Sequence, residues 1–111
     1  MIDCIFCKIA NKEIPTDLIY EDEEFVAFSD IEPIAPTHVL VIPKEHHASM
    51  LEIDNTELIG KAYAVVRKLA HDMDLCKSGC RIITNAGDDA GQTVHHWHIH
   101  LIGGCKLGNM A

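Results

Sequence analysis

Positive charge is scarce in this chain. Nine lysines and arginines stand against 17 aspartates and glutamates, a formal charge of −8. A surface that neutralises duplex phosphates needs the opposite balance, so no nucleic-acid partner is expected. A small phosphorylated ligand stays compatible, because a local site can be polar inside an acidic protein. Long apolar runs are missing too: no stretch approaches the ~18 residues that would cross a bilayer, so no membrane partner is expected. The opening MIDCIF has an early Asp3 and no basic region before an apolar run, so no targeting leader is expected. There is no internal repeat, linker or low-complexity segment. The cysteines are odd in number, at Cys4, Cys7, Cys76, Cys80 and Cys105, and without a leader they point to a reduced, cytoplasmic chain rather than a disulfide framework.

What is present suffices for one domain over residues 1–111. Hydrophobic residues make up 48% of the chain, enough for a packed core. So short a chain buries a modest fraction of its surface, and dimerisation would help it. Asp3 can cap a short helix over Cys4 to Asn11 with Ile5, Phe6 and Ile9 on its apolar side. Leu18–Glu21 and Phe25–Ser29 read as a hairpin turning at Asp22-Glu23-Glu24. Asp30 to Thr37 holds Pro33 and Pro36 and reads as a loop; His38–Pro43 reads as a third strand. Asp54 and Glu57 have capping-box spacing, and Leu58, Ile59, Ala62, Val65, Val66, Leu69 and Ala70 recur at helical spacing to about Asp72. Cys80–Asn85 and Thr93–Ile102 complete five strands, with a glycine-containing loop between them. The expected fold class is α+β: an antiparallel sheet with its helices on one side.

Four of the eight histidines crowd into His95–His100. In a strand His96, His98 and His100 share one face, spaced roughly 6.5–7 Å apart, while Trp97, Ile99 and Leu101 take the other. Such a row can be a half-exposed strand, a metal site built on an HxH pair, or a catalytic group in which one imidazole attacks while the next moves a proton. The preceding loop favours catalysis. Gly87 and Gly91 allow a turn with inward N–H groups, and Gln92 and Thr93 add side-chain donors, a set able to cradle phosphate oxygens. At the other end, Cys4-x-x-Cys7 is open to three readings: a redox pair, half a metal site, or two buried thiols.

The run His96-Trp97-His98-Ile99-His100-Leu101-Ile102 resembles the signature of the histidine triad (HIT) superfamily. Supporting stretches are Ile5-Phe6 with Lys8-Ile9, Lys12–Pro15, Ala27–Ile31, Ala35–Lys44 and Gly91–Val94. Gly103-Gly104 after the triad is similar to the HINT nucleoside phosphoramidases; the diadenosine polyphosphate hydrolase branch carries Pro-Arg there. The resemblance implies a five-stranded sheet with one long helix and a short N-terminal one, dimerising into a ten-stranded sheet through the long helix and the Cys80–Asn85 strand. It implies cleavage of purine nucleoside phosphoramidates through a covalent nucleotidyl-histidine, releasing a nucleoside monophosphate such as AMP. His98 would be the nucleophile and His100 the phosphate partner and acid, with His38 bonding the nucleophile. Phe6, Ile9, Phe28 and Ile31 would wall the nucleoside, with Ile14 nearby. Asp30 and Asn85 would meet the ribose, and Gly91, Gln92 and Thr93 the phosphate. No metal is required for that chemistry. A structural zinc on Cys4, Cys7, His46 and His96 is implied by the zinc-containing bacterial type, with His47 competing for the third position. The alternatives are a dinucleoside polyphosphate hydrolase, or a purine-nucleotide binding or regulatory module with weak activity. The tail from Cys105 to Ala111 departs from the HINT pattern, carrying neither tryptophan nor proline, which leaves the leaving-group side open.

Overall fold

A computed structural model describes residues 4–109. Five strands form one antiparallel sheet: β1 (Leu18–Glu21), β2 (Phe25–Ser29), β3 (Thr37–Pro43), β4 (Cys80–Ile83) and β5 (Ile99–Gly103), in the order β1-β2-β3-β5-β4. Two α-helices complete it, α1 (Ile5–Ala10) and α2 (Thr56–Asp72). Asp22 closes the first hairpin. Its Oδ1 accepts from the amides of Glu24 and Phe25, both at 2.7 Å, and its Oδ2 accepts from the Tyr20 hydroxyl at 2.6 Å. That is the side-chain turn an Asp makes best.

The expected α+β sheet is present, but its helices are not on one side. Phe25, Ala27, Val39, Val41, Ile99 and Leu101 pack with Ala62, Val65, Val66 and Leu69 of α2. The alternate residues Val26, Phe28, Leu40 and Ile42 pack with Phe6, Ile9 and Ala10 of α1. The sheet is therefore covered on both faces, which is why β2 and β3 read as nearly continuous apolar runs. Ile5, expected in the apolar stripe, is 52% exposed, and Ala10 is buried instead.

Both helix caps differ from expectation. Asp3 lies outside the described residues; the N-cap of α1 is Cys4, whose Sγ accepts from the Cys7 amide at 3.4 Å. The N-cap of α2 is Asn55, whose Oδ1 accepts from the Glu57 amide at 3.1 Å, so Asp54 stands one residue outside. Asn and Asp cap equally well; the extended backbone at Asn55 decides between them.

The last strand is shorter than its pattern. Residues 93–98 bend and leave the ladder, and β5 begins at Ile99. Other bonds hold them. The Trp97 amide donates to His47 O at 2.6 Å, and Gln92 Nε2 donates to Ala48 O and Val94 O. Thr84 Oγ1 accepts from the Trp97 indole at 3.0 Å and donates to His98 O at 2.8 Å. Alternation survives without the ladder: Trp97, Ile99 and Leu101 join the α2 side, and Phe6 of the α1 layer packs against the rings of His96 and His98.

Candidate functional site

The α1 face of the sheet carries two adjacent clusters. In the first, Cys4, Cys7, His46 and His96 each bring one donor atom within 4.8 Å of the others. The first turn of α1 presents both thiols, His46 follows the end of β3, and His96 comes from the bent segment. Cys7 Sγ is 3.3 Å from His46 Nδ1 and 3.5 Å from His96 Nδ1, and Cys4 Sγ is 3.4 Å from His96 Nδ1. A tetrahedral ion with metal–sulfur bonds of ~2.3 Å and metal–nitrogen bonds of ~2.0 Å spaces its sulfur and nitrogen donors by about 3.5 Å. These four residues could therefore hold a metal ion. His96 Nε2 donates to Pro43 O at 2.8 Å, the outer contact that leaves Nδ1 bare for an ion. Burial lowers the His96 pKa to about 4, and burial together with the neighbouring Cys4 thiol lifts that of Cys7 to about 11. His47, the competing ligand, stays out: its Nε2 is 3.0 Å from Glu45 Oε1 but without hydrogen-bond geometry.

The second cluster faces a cavity of about 580 Å³. Phe6, Ile9, Ile14, Phe28 and Leu40 give it an apolar wall, and Asp30, Thr93, His98 and His100 a polar side. Ile31 stands at its edge, 95% exposed. His98 Nδ1 is 2.7 Å from the carbonyl of His96. A carbonyl only accepts, so Nδ1 carries the ring proton and Nε2 keeps its lone pair. The His98 ring is also fixed edge-on against Phe6, with centroids 5.1 Å apart. Burial lowers its pKa, which keeps the ring neutral and nucleophilic.

His38 does not bond the expected nucleophile. On β3 it pairs with Ile102 of β5, which makes His100 its diagonal neighbour. His38 Nε2 is 2.9 Å from His100 Nδ1 and 3.4 Å from Asp30 Oδ2. The Ile34 amide donates to His38 Nδ1 at 3.2 Å. His38 therefore holds its proton on Nε2 and donates it to His100 Nδ1. Neutral His100 in turn carries a proton on Nε2. Burial lowers the His100 pKa to about 4. The arrangement is a fixed imidazole with a bare Nε2 beside a second neutral imidazole that presents an N–H.

Three expected phosphate or ribose contacts are elsewhere. Asn85, Gly91 and Gln92 do not line the cavity. The Gly91 amide donates to Asp88 O at 2.9 Å and the Gln92 amide to Gly87 O at 3.2 Å, closing a 3-10 turn over Asp88–Ala90. The Gln92 side chain is buried, accepting from the Gly87 amide at 2.8 Å and donating to Ala48 O and Val94 O. It ties loops together instead of reaching outward. Leu40 and Val94 were missed as lining residues. Leu40 was findable, since it shares a strand face with His38; the roles of Thr84 and of the Ile34 amide left no sequence signal.

The five-stranded α+β sheet thus presents a buried imidazole with a bare Nε2, two further imidazoles in hydrogen-bond contact and a largely apolar cavity beside them, the fold and site of a histidine-bearing α+β domain. The HIT domain pattern matches residues 11–107, and the chain belongs to the HIT family. It is 38% identical to the purine nucleoside phosphoramidase of Escherichia coli K12 over 110 residues, covering 97% of this chain and 92% of the relative. The HIT family hydrolase of Clostridium thermocellum superposes with a TM-score of 0.93 at 45% identity, covering 99% of this chain and 97% of that one. A histidine triad protein from Clostridium difficile superposes at 0.94 with 42% identity, covering 100% and 98%. The chain is a hydrolase of this family.

Proposed function

We propose that the chain cleaves purine nucleoside phosphoramidates to a nucleoside monophosphate such as AMP and an amine, as one HIT domain. The observation that carries it is the 2.7 Å bond from His98 Nδ1 to the His96 carbonyl, which leaves Nε2 as a neutral nucleophile at the cavity. His98 Nε2 attacks the α-phosphorus and the P–N bond of the substrate breaks. The leaving amine takes a proton from solvent, while neutral His100 donates its Nε2 hydrogen bond to the phosphoryl oxygens and His38 bonds its Nδ1 from behind. Water then attacks the nucleotidyl-His98 phosphorus, gives its proton up to solvent, and the bond to His98 breaks. Splitting the transfer into two steps replaces one difficult displacement with two easier ones. Phe6, Ile9, Phe28 and Ile31 hold the nucleoside, Asp30 accepts from the ribose hydroxyls, and Thr93 contacts the phosphate.

A structural zinc on Cys4, Cys7, His46 and His96 belongs to the same reading. The donor spacing and the closed two-thiolate, two-imidazole set support it. When bound, zinc would pin α1 to the sheet. A homodimer joined through α2 and β4 is supported by β4 lying at the sheet edge with Ile82 42% exposed. A cytoplasmic location is supported by cysteines that are all free among the described residues.

The test is turnover of a tryptamine adenosine phosphoramidate compared with a diadenosine polyphosphate. The phosphoramidate is expected to be the better substrate. His98→Ala should abolish turnover while AMP still binds; near-normal turnover in that variant overturns the assignment.

A further inference from the structure

A second group of metal-capable side chains lies at the cavity. Asp30, His38 and His100 bring one donor atom each within 4.8 Å of one another. Two imidazoles and a carboxylate form a recognised set for divalent transition metals. The 2.9 Å between His38 Nε2 and His100 Nδ1 and the 3.4 Å from His38 Nε2 to Asp30 Oδ2 bracket the spacing of neighbouring ligands on such an ion, about 3 Å for bonds of ~2.1 Å. By donor type and distance alone, this cluster competes with the thiolate cluster for metal.

The backbone group behind each ring separates them. Behind His96 Nε2 stands a carbonyl, Pro43 O at 2.8 Å. It can only accept, so it draws the ring proton away from the donor cluster and leaves Nδ1 bare toward the two sulfurs. Behind His38 Nδ1 stands an amide, Ile34 N–H at 3.2 Å. It can only donate, so it takes the lone pair of Nδ1 and leaves the ring proton on Nε2, inside the donor cluster. A protonated nitrogen does not coordinate. Moving that proton to Nδ1 would set two N–H groups against each other. The loop cannot simply swing away: the Asp30 amide donates to His38 O at 2.8 Å, the Glu32 amide to Asp30 Oδ1 at 2.9 Å, and Pro36 packs closely under Gly104.

We propose that these two backbone groups sort the clusters, one for metal and one for protons, and that the Ile34 amide keeps divalent transition metals off Asp30, His38 and His100. Ile34 is thus a positioning residue acting through its main chain. The first half rests on the metal reading above; the second stands on the His38 geometry alone.

Cobalt(II) titration of metal-stripped protein tests both halves, because thiolate-bound cobalt absorbs strongly and cobalt on imidazole and carboxylate does not. The wild type should take one cobalt per chain, with the thiolate absorption. Ile34→Pro, which removes the amide hydrogen, should take a second without added thiolate absorption, and lose it again with Asp30→Asn. Ile34→Val, which keeps the amide, should stay at one. A wild-type chain with no thiolate-bound cobalt overturns the sorting at the first cluster together with the metal reading. A second wild-type cobalt lost in Asp30→Asn, or a folded Ile34→Pro that stays at one, overturns it at the second cluster and leaves the metal reading intact. Nitrogen-15 NMR of the wild type decides the second half without any variant: bare Nδ1 and protonated Nε2 are expected at His38, and a proton on Nδ1 overturns the proposal.

Discussion

Each histidine of the triad has a different atom in front of its Nδ1, and that atom sets its chemistry. His96 Nδ1 faces sulfur, His98 Nδ1 a carbonyl and His100 Nδ1 another imidazole. Sequence alternation placed the three on one face but could not assign these partners, which depend on the ends of distant elements. Burial holds the His100 pKa near 4 and lowers that of His98, so both rings stay neutral further into acid than an ordinary histidine. On the proposed mechanism the acid fall of turnover, followed as kcat/KM, is therefore expected below pH 6.5; a fall centred on the ordinary histidine value of 6.5 would contradict it. The same shift has a stability consequence. The unfolded chain binds a proton at His100 from about pH 6.5 downward, the folded chain only near 4. The contribution is fully present above 6.5 and is lost as pH falls toward 4, at about 1.4 kcal/mol per unit and about 3 kcal/mol in all. Urea midpoints measured from pH 7 to 4.5 should fall less steeply in His100→Gln than in the wild type.

The elements were mostly legible as types, and the departures have local causes. β1 and β2 keep their expected bounds because a clear Asp turn joins two β-branched and aromatic runs. Residues 93–98 show strand alternation, yet their backbone is engaged by His47 and Thr84 rather than by a neighbouring strand. Periodicity reports which face a side chain takes; it does not report which backbone accepts the hydrogen bond. Thr84 therefore carries more than its sequence suggests, bridging the Trp97 indole and the His98 carbonyl. Thr84→Val leaves both partners unsatisfied and should cost about 1–3 kcal/mol in chemical denaturation, with a loss of turnover from a less constrained His98. The cap of α2 gives a second check. Asn55→Ala should cost about 1 kcal/mol and Asp54→Ala much less, because only Asn55 bonds the first turn. The reverse order would restore the capping box suggested by the sequence.

At the scale of the molecule, the position of α1 was the least legible feature. A six-residue helix has little stability of its own, so only tertiary contacts decide which face of the sheet it covers. Two ties fix it: the apolar packing of Phe6, Ile9 and Ala10 on Val26, Phe28, Leu40 and Ile42, and the bridge from Cys4 and Cys7 to His46, 39 residues on from Cys7, and to His96, 92 and 89 residues on. The family resemblance named the four bridge residues; it did not say that the bridge would carry the apolar wall of the cavity. Phe6 stands edge-on to both His96 and His98, at centroid distances of 5.9 and 5.1 Å, so whatever clamps the first cluster also sets the cavity wall beside His98. On the proposed zinc reading, removing the metal should act in two places. An ion bound about a thousandfold above its dissociation constant contributes roughly 4 kcal/mol to the folded state, and for a domain this size its loss should lower the melting midpoint by roughly 10 °C or more. With α1 loosened, Phe6 and Ile9 no longer close the apolar side of the cavity, while His98 stays held by the His96 carbonyl and His100 by His38. Stripped protein, assayed below its lowered midpoint, should therefore show a KM raised several-fold with a smaller change in kcat, and adding zinc back should reverse both. Metal-free protein with an unchanged melting midpoint would remove the clamp from the account of this fold, and a fall in kcat at constant KM would place the ion's influence on the nucleophile rather than on the wall.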